Sequence, residues 1–252
     1  MSNILFARIS PFAENTIGNY QFGFRKNRST TNEIFTLRQI LEKSKEFGIE
    51  THHLFIDFKS AYDTIKRDQL YKAMSEFNIP NKLIKLTRMT VENRKSQVRI
   101  QSDLSDSIFT KKGLRQSDSL ACLLFNLALK GVVRNAGIQR SGTIFYNLVQ
   151  LLAYAYDMDV IARSRAALKE AFASLERPAG EMGLRINEEK TKYLTKRESK
   201  NQQRYFQIKN FNFEAIQSFT YLGSLTNVNN DNSAKIKNRI LMTNKCCFGL
   251  KR

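Results

Sequence analysis

The spacing of apolar residues predicts a helix followed by a short strand near the start of the chain. Between residues 30 and 48 the apolar side chains keep helical spacing, and Gly48 supplies a stop. Residues 53–58 then form a short apolar run that carries an acid, Asp57, near its end. Such a run favours a buried strand, and its carboxylate requires a specific partner.

The same pattern predicts the remaining elements. Helices are expected at 67–77, 81–94, 120–134 and 166–182. Strands are expected at 97–101, 107–111, 147–155, 158–162, 192–195 and 220–222. The strands on either side of Tyr156–Asp157 favour a tight hairpin joined at these two residues. Helices mixed with strands, without regular βαβ alternation, indicate an α+β fold with mostly antiparallel strands.

Composition and charge favour a polyanionic partner. The 252 residues correspond to one large domain or two small ones, and a hydrophobic content of 42% is enough for a core. Lys and Arg number 41 against 23 Asp and Glu, a net charge of +18. Nucleic acid suits this excess because each neutralised phosphate releases counterions. A solvated basic surface or a ribosome-like binding protein would carry the same charge.

The cysteines and the apolar runs bear on the cellular compartment. Cys122, Cys246 and Cys247 give neither an even disulfide framework nor metal-ligand spacing. No apolar run reaches the about 18 residues of a transmembrane helix, and the N-terminus has no signal-peptide pattern. We therefore expect an intracellular protein, in the nucleus or cytoplasm, with no membrane partner.

Two acids at strand ends are the first candidates for chemistry. Asp57 follows one apolar run, and Asp157 lies at the turn of the predicted hairpin. A single such acid is commonly a helix N-cap or an ion-pair partner. Two of them on neighbouring strands would instead converge and offer oxygen ligands to a hard divalent cation, with substrate phosphates completing the shell.

Six segments in order resemble the reverse transcriptases of LINE-type (non-LTR) retrotransposons. Segment 20–31 is similar to the QxGFRxxRST stretch, and the other five resemble motifs A to E of the polymerase, at residues 55–63, 112–129, 153–160, 183–192 and 219–223. The resemblance implies a right-hand polymerase fold: a palm built on a central antiparallel sheet, with partial fingers. It places fingers and palm helices at about 1–50 and 66–110 and the palm at about 51–65 and 111–225, and it leaves no thumb after residue 252.

The resemblance also implies a role for each matched residue. Asp57 and Asp157 match metal ligands of a site for two Mg²⁺ ions, and Lys190 matches a lysine that assists the leaving pyrophosphate. Tyr62 matches the aromatic gate that rejects a 2′-hydroxyl, and Gln116 matches a contact to nucleotide and template. Alternatively, Tyr62 is a core tyrosine and Lys190 a solvated lysine.

Two further matched segments concern the template and the primer. Arg25 and its basic neighbours match residues that contact template or triphosphate, although surface charge alone explains them nearly as well. The primer-grip motif is matched by three consecutive residues, Tyr221, Leu222 and Gly223.

The chain departs from the family pattern at one decisive position. The first acid of the motif C pair is expected at position 156, where this chain has Tyr156. A phenol is neutral near pH 7 and bulky, so it removes charge and occupies the space of a cation. Asp157 and Asp159 remain, but the hairpin is expected to point them elsewhere. Ser117 in place of a motif B glycine is a milder departure.

These observations lead to one main expectation and one alternative. The main expectation is an RNA-directed DNA polymerase domain of a non-LTR retroelement, acting on RNA template, DNA primer and deoxynucleotides, with impaired catalysis. The alternative is a non-enzymatic nucleic-acid-binding remnant, whether retained as a co-opted fragment or not, because both classes bind polyanions.

Overall fold

The computed structural model describes residues 1–92, 95–101, 103–115, 118–138, 149–195 and 204–250. The helices are α1 (Ser2–Thr16), α2 (Thr30–Glu46), α3 (Ala61–Thr64), α4 (Arg67–Glu76), α5 (Asn81–Val91), α6 (Ser119–Asn135), α7 (Arg165–Met182) and α8 (Asn232–Leu250). The strands are β1 (His52–Ile56), β2 (Lys95–Ser96), β3 (Arg99–Ile100), β4 (Asp103–Leu104), β5 (Ile108–Phe109), β6 (Val149–Tyr154), β7 (Asp157–Ala162), β8 (Lys192–Leu194), β9 (Tyr205–Ile208), β10 (Phe211–Ile216), β11 (Ser218–Tyr221) and β12 (Ser224–Asn227). Across these described ranges, no helix is long and apolar enough to span a membrane.

A six-stranded sheet in the order β6-β7-β1-β8-β10-β9 forms the centre of the fold. Neighbouring strands are antiparallel except β8 and β10, which are parallel. The predicted α+β class with an antiparallel-dominated sheet is confirmed. All five residues of β1 are buried, because this strand has a neighbour on each side and a covered surface on each face.

One face of the sheet packs against α6 and α7. Successive strand residues point to opposite faces, so Leu54 and Ile56 of β1 share this side with Met158 and Val160 of β7. Helix α6 contacts α1, α4 and α7. It is apolar around most of its circumference, which is the pattern of a helix enclosed by other elements.

The opposite face is covered by α2 and by the hairpin of β11 and β12. Phe55 and Ile161 point to this side and join Leu37 of α2 in a second apolar cluster. The Phe55 ring centroid lies 5.0 Å from that of Phe219 and 4.9 Å from that of Tyr221, both in the hairpin. Asp57 and Asp157 lie at one end of this sheet.

Several predicted boundaries shift by a few residues. The strand predicted at 53–58 spans His52–Ile56, so Asp57 lies just beyond its end. The helix predicted at 81–94 ends at Val91. The strand predicted from residue 147 is described from Val149, since 147 and 148 lie outside the described residues. The hairpin turn comprises residues 155 and 156 rather than 156 and 157, so Asp157 is the first residue of β7.

The apolar pattern did not reveal the helices α1, α3 and α8 or the strands β2, β4, β9, β10 and β12. Helix α1 buries Leu5, Ile9 and Ala13, which recur at every fourth position, and it packs against α6 although it contains Pro11. The strands predicted at 97–101 and 107–111 are only the short, exposed β3 and β5, which pair with β4 and β2 respectively.

Candidate active site

The pairing of β1 with β7 brings two acids to the same end of the sheet. Ile56 pairs with Met158, and one further step along each strand reaches Asp57 and Asp157. The two carboxylates interact: burial and then the charge of Asp57 raise the pKa of Asp157 to about 6, against the opposing charge of Lys190. The register thus places the two acids at the same end of the sheet, while their role as paired metal ligands remains a prediction.

The segment after α7 fixes Asp57 in place. The side-chain amide of Asn187 donates to Asp57 Oδ2 at 3.0 Å, and the main-chain N–H of Asn187 donates to the Asp57 carbonyl at 2.8 Å. The Asp57 N–H in turn donates to Thr191 Oγ1 at 3.2 Å. Sequence reasoning assigned Asn187 no role, although the residue lies inside the matched motif D.

A cavity of about 480 Å³ opens beside Asp57. It is lined by two tyrosines, by Lys190, which the sequence had singled out, and by Asn187, whose amide holds Asp57. Its lining residues are Asp57, Phe58, Lys59, Ser60, Ala61, Tyr62, Tyr156, Asn187 and Lys190. The structure therefore brings Asp57, Tyr62, Tyr156 and Lys190 together in one pocket.

Tyr156 occupies the tip of the turn between β6 and β7. The turn requires a left-handed backbone at Ala155, where φ is +56°. The ring of Tyr156 lies edge-on to that of Tyr62, with centroids 6.3 Å apart, and 39% of the residue is exposed. Burial, followed by the charges of Asp157 and Asp57, raises the pKa of the Tyr156 phenol, so the group is neutral at physiological pH.

Tyr62 forms a wall of the same pocket. Its ring stacks on Phe125 of α6 with centroids 4.9 Å apart, and its hydroxyl lies 3.6 Å from Cys122 Sγ. Burial is the largest cause of the raised pKa of Tyr62. The Tyr62 ring packs on α6 and also lines the cavity. Its environment therefore agrees in part with a core tyrosine and in part with an aromatic gate.

The donor set is too small for two metal ions. Within the described ranges, no group of three or more His, Cys, Asp and Glu side chains is placed to hold a metal. Asp57 is the one acid among the residues that line the pocket, and one of its oxygens already accepts from Asn187. Asp157 interacts with the charge of Asp57 but is not among the lining residues. Asp159 does not extend the set, because it is 0% exposed and bonded to His53 Nδ1 at 3.0 Å.

Comparison with known proteins identifies the family. The sequence profile of reverse transcriptases (RNA-dependent DNA polymerases) matches residues 1–225. The chain belongs to this family. The chain is 23% identical over 145 residues to the Pol polyprotein of the type-1 retrotransposable element R2 of Nasonia vitripennis, and 20% identical over 132 residues to that of Popillia japonica. These matches cover 56% and 52% of this chain but only 14% and 22% of the relatives.

Solved structures with the same fold include telomerases from two Candida species. Apo telomerase from Candida Tropicalis superposes with a TM-score of 0.65 at 15% identity, over 91% of this chain and 39% of that one. Telomerase from Candida albicans, solved with a TWJ fragment of telomeric RNA, gives 0.61 at 11% identity, over 90% and 36%. The predicted right-hand polymerase fold and LINE-type resemblance are confirmed.

The segment around Gln21 is tied to the end of β6 beside the turn. Gln21 bridges to Ala153 at the end of β6, with N–H···O bonds from Phe22 to the Ala153 carbonyl and from Ala153 to the Tyr20 carbonyl. Asn126 of α6 donates to the Gly23 carbonyl at 2.7 Å. A Cβ on Gly23 would lie 2.5 Å from the backbone nitrogen of Ala155, which explains the glycine.

Two predicted nucleotide contacts have different outcomes. Gln116, with its neighbour Ser117, lies outside the described residues. Arg25 is turned inward: its guanidinium forms an ion pair with Glu14 at 2.7 Å and donates to the carbonyls of Gly18 and Gln21. Only 7% of the Arg25 side chain is exposed, so a nucleotide contact would require this network to open. That role remains a prediction.

The residues matched to the primer grip divide between the interior and the surface. Tyr221 ends β11 and is buried. Leu222 and Gly223 form the turn to β12, both with positive φ, and Gly223 is exposed. A nucleic acid can therefore reach the tip of this hairpin, while the Tyr221 side chain faces α2.

Proposed function

We propose that this chain is the fingers and palm of an RNA-directed DNA polymerase from a non-LTR retroelement, with an impaired polymerase step. The intact reaction is the attack of a primer 3′-hydroxyl on the α-phosphate of a deoxynucleotide paired to RNA. The observation that carries the impairment is Tyr156, which lines the pocket beside Asp57. We assign about 51–65 and 111–225 to the palm, and 1–50 and 66–110 to fingers and palm helices.

A phenol at position 156 acts against the reaction in two ways. Phosphoryl transfer depends on positioning and on neutralising charge at the transferred group. Tyr156 supplies no negative charge for a cation, and its ring occupies part of the cavity shared with Tyr62. Since the remaining donor set is too small for two Mg²⁺ ions, we assign no step to a metal here.

The other pocket residues retain features that suit a nucleotide. Tyr62, held against Phe125, presents a flat wall on which a 2′-hydroxyl would clash. Lys190 offers a cation to the phosphates on the side of Asp157. The amide of Asn187 orients the Asp57 carboxylate and so preserves the geometry of the strand end.

Replacement of Tyr156 tests the impairment directly. Tyr156→Asp should raise Mn²⁺ affinity, measured by electron paramagnetic resonance titration, and primer extension on an RNA template with Mg²⁺ by about 10²–10³-fold. Tyr156→Asn is the matched control, because it has the shape of aspartate without its charge. Tyr156→Phe tests whether the hydroxyl alone matters.

The outcomes separate the possible explanations. Gains with Tyr156→Asp but not with Tyr156→Asn support a missing carboxylate. Equal gains with both would assign the defect to the bulk of the ring. A tyrosine form that extends primers as fast as Tyr156→Asp would refute the impairment. Asp159 is not a substitute ligand, because it is buried against His53.

The charge favours a second candidate function, nucleic-acid binding without catalysis. A net charge of +18 does not depend on position 156. Binding to RNA and DNA should weaken steeply with salt, with a log–log slope of about −0.7 to −0.9 for each phosphate contacted. A slope near zero for both single-stranded and double-stranded ligands would exclude this function and the polymerase together.

A further inference from the structure

A buried polar contact joins three elements behind the candidate active site. The hydroxyl of Tyr221 in β11 donates to Oε1 of Glu33 in α2 at 2.6 Å. The same hydroxyl lies 3.5 Å from the main-chain carbonyl oxygen of Asp157, the first residue of β7. Glu33 is 0% exposed and Tyr221 only 3%, so this contact is shielded from water.

The contact lies where the hairpin meets the palm. Strands β11 and β12 form their own two-stranded sheet rather than extending the central one. Aromatic packing of Phe55 on Phe219 and Tyr221 fixes the distance between the two sheets. Aromatic packing is weakly directional, whereas the hydrogen bond from Tyr221 to Glu33 defines where the end of β11 lies along α2.

The carboxyl of Glu33 is costly for stability alone. Burial is the largest cause of its raised pKa, and Oε2 has no hydrogen-bond partner among the described residues. An apolar side chain of similar size would avoid the desolvation of this group. A leucine at this position could not accept the hydrogen bond from Tyr221. The geometry of that bond is therefore what Glu33 provides.

We propose that Glu33 is a positioning residue of the candidate active site. Through Tyr221 it holds the β11–β12 hairpin at a fixed place relative to the strand end that carries Asp157. The tip of that hairpin, at Leu222 and Gly223, then meets the recessed 3′ end of a primer on its template. This inference rests on the proposed function, because it assigns the hairpin tip to the primer terminus.

The test compares Glu33→Leu and Tyr221→Phe with Glu33→Gln as the matched control, since its amide oxygen still accepts the Tyr221 hydrogen bond. Hydrogen exchange of amides in 218–227 reports the hairpin, and exchange in α6 reports the core. Binding is measured for an RNA–DNA hybrid with a recessed 3′ end and for single-stranded RNA of equal length. Glu33→Leu and Tyr221→Phe should speed exchange in the hairpin only, and should lower the preference for the recessed end by about fivefold.

The double variant Glu33→Leu with Tyr221→Phe should lose no more preference than either single one, because both remove the same bond. Additive losses, equal losses for both ligands, or unchanged exchange in the hairpin would overturn the inference. A wild-type chain without preference for the recessed end would also overturn it. A wild-type chain that binds neither ligand would instead overturn the proposed function.

Discussion

The buried carboxyl of Glu33 makes stability depend on pH in a distinctive way. Burial raises the pKa of Glu33 from 4.5 to about 8, against the opposing hydrogen bond from Tyr221 and with the charges of Asp159 and Asp157 adding to the increase. Between these two pH values the folded state binds more protons than the unfolded state. The Glu33 carboxyl therefore contributes fully to the free energy of unfolding below pH 4.5. This contribution is lost as the pH rises through 8.

The structure sets the size of this effect. The pKa rises from 4.5 to about 8. At about 1.4 kcal/mol for each pH unit, the unfolding free energy can therefore change by at most about 5 kcal/mol over this interval. Glu33→Gln removes the ionisable group, so the difference in unfolding free energy between variant and wild type should grow in favour of the variant from pH 5 to pH 8. The raised pKa of Asp157 acts in both proteins, so only its Coulombic interaction with Glu33 remains in this difference.

Urea unfolding followed by circular dichroism, at several pH values from 5 to 9, measures the difference. Glu170→Gln, which removes an exposed carboxyl on α7, is the control and should give a curve parallel to wild type. Parallel curves for Glu33→Gln and wild type would show that the Glu33 carboxyl ionises in the folded protein as it does in water. The argument from burial would then be wrong.

Three other replacements test the backbone contacts around the site by thermal unfolding. Gly23→Ala should destabilise the fold by about 1–3 kcal/mol, because the new Cβ meets the backbone of Ala155. Gly113→Ala should cost more than Gly48→Ala, since both glycines have positive φ but only Gly113 has backbone atoms within 3 Å of the added Cβ; equal costs would refute the clash. Arg67→Lys should cost about 1–3 kcal/mol, because a lysine cannot donate to the carbonyls of residues 110, 112 and 113 together.

Much of the candidate site was predictable, because the residue types and the order of the motifs can be read directly from the sequence. Asp57, Tyr156 and Lys190 belong to segments whose sequence and order match the family, and the structure places them in or around one pocket. The central strands were predictable for the same local reason, since residues 54–56 of β1 and 160–162 of β7 are short apolar runs. Their boundaries shifted because strand ends depend on pairing partners, which local spacing does not specify.

The contacts that the sequence did not predict depend on partners far away along the chain. Arg25 was expected to face a nucleotide, but it is enclosed by Glu14 on α1, a helix that was not predicted. Glu33 was not singled out, since its partner Tyr221 is 188 residues away. Strand β9 shows alternating burial, a signal that was present but weak in only four residues. The parallel pairing of β10 with β8 has no local signature at all.

The bridge between Gln21 and β6 has a consequence for self-association. Strand β6 lies at one edge of the central sheet, where exposed N–H and C=O groups can recruit a strand from another molecule. At Ala153 both outward groups are already bonded, the N–H to Tyr20 and the carbonyl to Phe22. The segment around Gln21 thus also closes the sheet at the end nearest the site, so a foreign strand cannot add there without first displacing it.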